Sequence, residues 1–170
     1  MNALMASVVA GAERIVAVDL NADKLKLARE LGATDTFLAG NADVVEDIRS
    51  ATDGGLDYVI ETAGAIPAMD LAYAIAARGG MIVSAGLPPA TASVAFPHAA
   101  LVTDEKSIRG SYMGSYVPKR DIPRFIALYR LGELPVQNLR SGFIAFDQIN
   151  EGFDKLSDGS VLRQVSRPYA

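Results

Sequence analysis

The chain has no cysteine and no tryptophan, and His98 is its only histidine. Without cysteine it can form neither a disulfide nor a thiolate zinc site of its own, and nothing indicates an oxidising compartment. A lone histidine without partner ligands is usually a surface or packing residue. We therefore expect no disulfide framework and no metal site within this chain.

Basic charge and long apolar runs are also scarce. Sixteen Lys and Arg residues stand against 20 Asp and Glu residues, which gives a formal net charge of −4. This balance does not favour nucleic acid as a partner. No run approaches the roughly eighteen apolar residues of a transmembrane helix, so we expect no membrane partner either.

The first residues, MNALMASVVAGA, combine an apolar middle with small residues at the end, as a secretory leader does. However, no Lys or Arg precedes the apolar run, and apolar residues recur at helical spacing from Leu4 to Val9. We interpret this stretch as an amphipathic helix closed by Gly11 and expect a cytoplasmic protein.

The rest of the first two thirds alternates short apolar strands with helices of about ten residues. Asn21 is predicted to cap a helix that Gly32 closes, and further helices are predicted around residues 44–51 and 68–77. The pattern predicts an α/β fold with a doubly wound parallel sheet. The predicted strands are residues 15–18, 36–38, 58–60, 81–85 and 108–113.

After Gly114 the alternation gives way to two amphipathic helices, within KRDIPRFIALYRLGEL and FDQINEGFDKLSDG. Asp147 is predicted to cap the second helix. The change of pattern predicts two units, residues 1–113 and residues 114–170. The buried stripe of the second helix is predicted to consist of Ile149, Phe153 and Leu156.

Three strand ends carry residues suited to a ligand. Asp19 follows the first strand, where a carboxylate can bind both ribose hydroxyls and repel a 2′-phosphate, which favours NAD over NADP. On this motif alone, a turn residue beside Asn21 is an equal alternative. In ETAG and SAGLPP, Gly64 and Gly86 would let a cofactor lie close to the backbone, although SAGLPP alone more often marks a turn.

Six segments in a fixed order carry a resemblance to a known family. They resemble the zinc-dependent alcohol dehydrogenases of the medium-chain dehydrogenase family, over nearly the whole chain. The resemblance implies a Rossmann-type sheet and hydride transfer between an alcohol and NAD, with zinc as the Lewis acid. The segments are AGAERIVAVDLNADKLKLARELGATDTF, GGLDYVIETAG, GGMIVSAGLPP, IRGSYMGS, DIPRFIALYRLGELP and INEGFDKLSDGSVLRQV.

The resemblance implies cofactor contacts on both sides of the predicted cleft. Asp19 matches the ribose-binding acid, and Lys24 matches a lysine that reaches the same ribose. The residues that match the lining of the adenosine and ribose part are Thr62, Ala63 and Gly64.

For the other half of the cofactor, the matching residues follow the later strands. Met113 matches a backbone contact to the nicotinamide carboxamide, and Arg163 matches an arginine that pairs with the pyrophosphate. The residues that match contacts to the nicotinamide ribose and carboxamide are Ala85, Gly86 and Leu87.

Two parts of the family's machinery have no match. Its catalytic zinc is held by two cysteines and a histidine, whereas this chain has no cysteine and His98 matches no zinc position, so we assign no catalytic residue. Its glycine-rich phosphate loop precedes the ribose acid by about twenty residues, and only eighteen residues precede Asp19. We therefore expect the loop and the first strand to lie upstream in a longer protein.

Without that strand, the sheet would have a gap between the strand of Asp19 and the strand at residues 58–60. Both strands would then present unpaired edges. We expect such a chain to be unstable, or to close the gap by re-pairing, swapping or binding a partner.

Two functional classes remain open. In the first, the chain is a fragment of an NAD- and zinc-dependent alcohol dehydrogenase. Such an enzyme would act on an alcohol or aldehyde and form a homodimer through the edge strand from Ile108 to Met113. Alternatively, the chain is a non-catalytic, degenerate nucleotide-binding or dimerising module. A methyltransferase is a weaker third interpretation, which the segments SAGLPP and INEGF do not fit.

Overall fold

The computed structural model describes residues 1–167, which form an α/β fold of seven helices and seven strands. The strands are β1 (Val16–Asp19), β2 (Asp35–Leu38), β3 (Leu56–Glu61), β4 (Ala76–Ser84), β5 (Ser107–Gly110), β6 (Gly142–Ala145) and β7 (Gln164–Arg167). The helices are α1 (Asn2–Val9), α2 (Ala22–Glu30), α3 (Val44–Ala51), α4 (Ile66–Ile75), α5 (His98–Thr103), α6 (Pro118–Arg130) and α7 (Ile149–Ser157). None of the helices in residues 1–167 combines the length and apolarity that crossing a membrane requires.

The strands form three separate parallel sheets. β1 pairs with β2, β3 pairs with β4 and β4 with β5, and β6 pairs with β7. A doubly wound sheet has the order 3-2-1-4-5-6, and the present order β2-β1, then β3-β4-β5, leaves the place of strand 1 open. The predicted incomplete sheet is confirmed.

A cleft of about 820 Å³ lies where that strand would be, lined by β1, β3 and residues of α1. The carbonyls of Ile15 and Asp19 accept hydrogen bonds from the β2 side, from Thr34 and Ala39 among others. Backbone groups alternate sides along a strand, so those of Val16 and Val18 face the cleft. The expected edges are therefore present, and the expected instability stays a prediction.

The two halves of the interrupted sheet share one buried cluster. Ile48 of α3 and Ile82 of β4 are both 0% exposed. On the side of β1 and β2, Val16, Val18 and Phe37 pack against the same cluster. Helix α3 thus joins the halves by burying apolar surface from both.

A second cluster connects the first helix to the chain beyond residue 114. Leu4 and Met5 of α1 are buried with Leu31 and with Leu139, which is 4% exposed. The predicted first helix is confirmed, and Gly11 follows it with φ of +75°. The predicted division at residue 114 stays a prediction, while Leu139 provides a buried contact across it.

Helix α2 starts and stops where the sequence indicates. Asn21 Oδ1 accepts hydrogen bonds from the backbone N–H of Asp23 at 2.8 Å and of Lys24 at 3.3 Å. Gly32 follows the helix with φ of +107°. Both predicted caps are confirmed. Asn accepts hydrogen bonds from the first N–H groups of a helix, and Gly adopts the positive φ that often follows the last turn.

Helix α4 ends earlier than predicted. It stops at Ile75, and β4 begins at the fully buried Ala76. The pairing with β3 then jumps from Leu56 opposite Ala76 to Tyr58 opposite Met81. Gly79 and Gly80, which follow the predicted helix and would be expected to end it, therefore lie at an irregularity inside β4.

The prediction for α7 is wrong in two respects. Asp147 lies within a 3₁₀ turn, Phe146–Gln148, and Gln148 is the N-cap residue instead. Phe153 is 62% exposed and Leu156 is also exposed. The buried residue of this helix is Gly152, against which the side chains of Ile144 and Gln164 pack. Gly152 lies three residues after Ile149 and four before Leu156, so the helix packs on the predicted side but only at this glycine, and larger side chains around it stay exposed.

Candidate functional site

Two clefts reach the carboxyl ends of strands, where parallel α/β sheets bind ligands. The one between β1 and β3 runs along both strands, from residues 11–15 and 55–57 to their carboxyl ends. Asp19 and Thr62 both line the cleft between β1 and β3, which we call the first cleft. A second cleft of about 590 Å³ lies beyond the ends of β4 and β5. The predicted site residues that line the second cleft are Ala85, Gly86, Leu87 and Met113.

Asp19 is the last residue of β1 and is half-buried. Its Oδ1 accepts a hydrogen bond from the backbone N–H of Asn21 at 2.9 Å. Within residues 1–167, Oδ2 accepts none, and this oxygen remains for a ligand. Asp19 can therefore be both a turn residue and a ribose ligand. One carboxylate oxygen accepts the hydrogen bond within the turn, and the other is available beside the cleft.

Lys24 lies on the first turn of α2 and is half-buried. Burial lowers the pKa of the Met1 amino group, while the charge of Asp19 raises that pKa and the charge of Lys24 lowers it. Met1 and Asp19 both line the first cleft, whereas Lys24 is not among the residues that line it.

Glu61, the last residue of β3, is a buried carboxylate that the sequence interpretation passed over. It is 6% exposed. Its Oε1 accepts hydrogen bonds from the backbone N–H of Ala63 at 2.6 Å and of Gly64 at 2.7 Å, and its Oε2 from the hydroxyl of Ser84 at 3.3 Å. An acid at a strand end before small residues was the available signal.

The two glycines of the loops after β3 and β4 pack against the opposite loop. A Cβ on Gly86 would lie 2.1 Å from the backbone nitrogen of Gly64, and a Cβ on Gly64 would lie 2.9 Å from the backbone of Leu87. Both glycines are therefore required by the packing of the two loops. They allow the loops to approach each other, and their contact with a cofactor stays a prediction.

Met113 and Arg163 occupy different surroundings. Met113 lies in a 3₁₀ turn after β5 with φ of +49° and is 66% exposed at the second cleft. The predicted last strand ends before it, at Gly110. Arg163 is exposed just before β7, is not among the lining of either cleft, and its carbonyl accepts a hydrogen bond from Ser141. The predicted contact between Arg163 and the pyrophosphate stays a prediction.

The described residues do not fit a zinc site. Between residues 1 and 167, no three His, Cys, Asp or Glu side chains lie together so as to hold a metal ion. His98 is exposed and begins α5. No chemistry through a metal follows from this part of the chain.

The clefts and their loops have counterparts in known proteins. The family model described as zinc-binding dehydrogenase matches residues 1–130. Alcohol dehydrogenase 1 of Oryza sativa subsp. indica is 32% identical over 162 residues, and alcohol dehydrogenase 1 of Zea mays is 33% identical over the same length. Each alignment covers 94% of this chain and 42% of the relative.

Solved structures give the same result. Benzyl alcohol dehydrogenase from Acinetobacter calcoaceticus superposes with a TM-score of 0.93 at 33% identity, over 96% of this chain and 45% of that chain. A zinc-binding dehydrogenase from Sinorhizobium meliloti 1021, solved with NADP bound, superposes with a TM-score of 0.85 at 26% identity, over 97% and 48%.

This chain thus spans less than half the length of these relatives. The family model nevertheless covers most of its residues, including both loops and the strand of Asp19. The chain belongs to the zinc-binding dehydrogenase family.

Proposed function

We propose that this chain forms the nucleotide-binding part of an NAD- and zinc-dependent alcohol dehydrogenase. The observation that carries the proposal is the position of Asp19, at the carboxyl end of β1 and beside a cleft shared with Thr62. In a doubly wound sheet, an acid at this place binds the adenosine ribose. The bound NAD would accept hydride from an alcohol in the whole enzyme.

The chain's own residues would bind and orient the nucleotide. Asp19 would accept hydrogen bonds from the ribose hydroxyls through Oδ2, and Lys24 would reach the same ribose. The remaining proposed contacts are Thr62, Ala63 and Gly64 on the adenosine side, Ala85, Gly86, Leu87 and Met113 on the nicotinamide side, and Arg163 at the pyrophosphate.

The proposed cofactor is NAD rather than NADP. A carboxylate at the ribose repels a 2′-phosphate, and Asp19 is a carboxylate at that place. The Sinorhizobium meliloti relative holds NADP, so cofactor choice has to be measured rather than transferred from a relative.

Zinc and the alcohol would be held elsewhere in the whole enzyme, because the described residues offer no zinc ligands. We also propose a homodimer through the edge strand β5. All four residues of β5 are exposed, and within the described chain it pairs with β4 alone. An open strand edge is suited to pairing with a second copy.

Titration of the chain with NAD, NADP and AMP, followed by NMR, tests the nucleotide site even at weak affinity. We expect NAD to bind more tightly than NADP. Asp19→Asn should weaken NAD by about tenfold or more, because a hydrogen bond to a charged group contributes roughly 1.5–3 kcal/mol. The same variant should narrow the difference between NAD and NADP, since it removes the repulsion.

Asp23→Asn is the matched control. Asp23 lies four residues away, with its side chain 84% exposed and paired with Lys26. This variant should bind NAD as the wild type does. Equal NAD and NADP affinity in the wild type, or equal losses in both variants, would contradict the assignment of Asp19.

The second candidate function, a degenerate module without catalysis, is favoured only by the lack of zinc ligands in residues 1–167. Genomic sequence upstream of the Met1 codon separates the two candidates. In-frame codons for a glycine-rich loop preceded by Cys and His support the enzyme, whereas an immediate in-frame stop codon supports the module.

A further inference from the structure

We propose that Glu61 is a positioning residue, whose buried carboxylate fixes the loop after β3 to the loop after β4. The loop after β3 carries proposed adenosine-side contacts and the loop after β4 carries proposed nicotinamide-side contacts, so the inference rests on the proposed function. Glu61 would act through the loop backbones and would not itself touch the cofactor.

The carboxylate holds the first loop directly. Its Oε1 accepts hydrogen bonds from two consecutive backbone N–H groups, those of Ala63 at 2.6 Å and Gly64 at 2.7 Å. Two N–H donors on one ionised oxygen form short charge-assisted bonds, which offset the loss of hydration of a buried carboxylate. The conformation of this loop therefore depends on an oxygen at that place.

Glu61 also connects the first loop to the second. Its Oε2 accepts a hydrogen bond from the Ser84 hydroxyl at 3.3 Å. Its backbone carbonyl accepts hydrogen bonds from the N–H groups of Ala85 at 2.8 Å and Gly86 at 3.1 Å. With Gly64 and Gly86 in close backbone approach, a shift of one loop displaces the other.

A consequence for the ligand follows from these bonds. Glu61 already occupies the N–H groups of Ala63, Gly64, Ala85 and Gly86. A phosphate group needs free N–H donors of this kind, and it would be repelled by the carboxylate. The paired loops are therefore suited to a ligand group that donates hydrogen bonds, such as an amide or a hydroxyl, and not to a phosphate.

Two substitutions at Glu61 test whether the loop depends on a side-chain oxygen that accepts hydrogen bonds. Glu61→Ala removes both carboxylate oxygens and leaves the N–H groups of Ala63 and Gly64 without their acceptor. Glu61→Gln keeps a side-chain oxygen that can accept those two bonds. Affinities for NAD and for AMP, measured by NMR titration, report on the two ends of the nucleotide separately.

We expect Glu61→Ala to weaken the affinity for NAD by about tenfold or more, which is the effect of losing hydrogen bonds to a charged group. AMP binding should be weakened less than NAD binding, because AMP would contact only the loop after β3, whereas NAD would contact both loops that Glu61 connects. Glu61→Gln should restore most of the NAD affinity. Equal losses of NAD and AMP, or no rescue by Gln, would overturn the positioning role, because general destabilisation affects both ligands.

Ser84→Ala keeps the test possible if Glu61→Ala does not fold. It removes only the cross-loop bond from the side chain and should weaken NAD about threefold, the scale of one ordinary hydrogen bond, with AMP unchanged. Unchanged NAD affinity would count against the connection between the loops.

Amide hydrogen exchange separates this inference from the proposed function. In Glu61→Gln, exchange at Ala63 and Gly64 should stay near the wild-type rate, and in a folded Glu61→Ala it should be faster. If the wild type binds no NAD, the proposed function fails while this exchange result still tests the loop contact. If exchange at both amides is the same in all three proteins, the inference about Glu61 fails whatever the cofactor result.

Discussion

Residues 1–110 and residues 112–167 are built from similar amphipathic elements, yet the first region holds nearly all of the buried apolar side chains. Of the 17 buried apolar residues in the described chain, 16 lie before residue 110, and Leu139 is the exception. In the second region, apolar side chains of α6 and α7, among them Ile126 and Phe153, are largely exposed. The stability of the described chain should therefore reside in the first region.

This difference teaches how far an amphipathic pattern can be used. The pattern of α3 and that of α6 each indicate a helix with an apolar side, and both helices form. Of the two, only α3 contributes side chains to the buried cluster that both sheet halves share. An amphipathic pattern predicts that an element has a side to bury, and the rest of the fold decides whether that side is covered.

The largest expected effect is loss of a core side chain in the first region. Ile82→Ala removes a side chain that is 0% exposed in β4, and such substitutions cost about 2–5 kcal/mol of unfolding free energy. Ile126→Ala in α6 makes the same chemical change at a residue that is 46% exposed, where we expect a change within about 0.5 kcal/mol. Urea denaturation followed by circular dichroism measures both.

Similar losses in the two variants would remove the distinction between the regions. A large loss from Ile126→Ala alone would place the stable core in the second region instead.

The next expected effect tests the buried contact that Leu139 makes between the regions. Leu139→Ala opens a cavity beside Leu4 and Met5 of α1, and we expect a loss near the lower end of the usual range, about 2–3 kcal/mol. Because Leu139 joins the second region to α1, the loss should be accompanied by faster amide exchange in α1. Unchanged exchange in α1 would show that this contact does not couple the two regions.

A smaller effect is expected from pH. The hydrogen bond from Arg14, followed by that from Thr34, lowers the pKa of Asp35 to about 2. In the second region, the hydrogen bond from Arg120, followed by the backbone N–H of Val117, lowers the pKa of Asp121 to about 2. Both folded-state values lie below the ordinary value of 3.8.

A lowered carboxyl pKa stabilises the folded state above the ordinary pKa, and this contribution is lost as pH falls through the folded-state value. Stability should therefore decrease between about pH 4 and about pH 2. Asp35→Asn should make the urea midpoint less dependent on pH over that interval, whereas Asp121→Asn should have less effect on global unfolding. A wild-type midpoint that rises on acidification would have the wrong sign for both assignments.

The sequence predicts the regular parts of the first region because their signals are local. Asn21 and Gly32 mark the ends of α2, and apolar runs mark the strands within a few residues. The end of α4 could not be placed in this way, because Ala76 joins a strand only through its pairing with Leu56. Residues that suit a helix can be taken into a strand when a neighbouring strand supplies the hydrogen bonds.

The candidate site was predictable to a similar degree. A resemblance to a family assigns Asp19 and the residues of the two loops, and four of the assigned residues line one cleft. The contact between Glu61 and Ser84 was not predictable, because Ser84 lies 23 residues further along the chain. Nor does a glycine in a loop tell whether a ligand or another loop uses the space, as Gly64 and Gly86 show.

Amide hydrogen exchange along the whole chain, with and without NAD, tests the comparison and the proposed function together. We expect slow exchange in β3, β4 and α4 and fast exchange in α6 and α7. Added NAD should slow exchange after β1, β3 and β4 and leave α6 and α7 unchanged. Uniform exchange across both regions, or protection by NAD confined to residues 118–157, would contradict a stable nucleotide-binding region within residues 1–110.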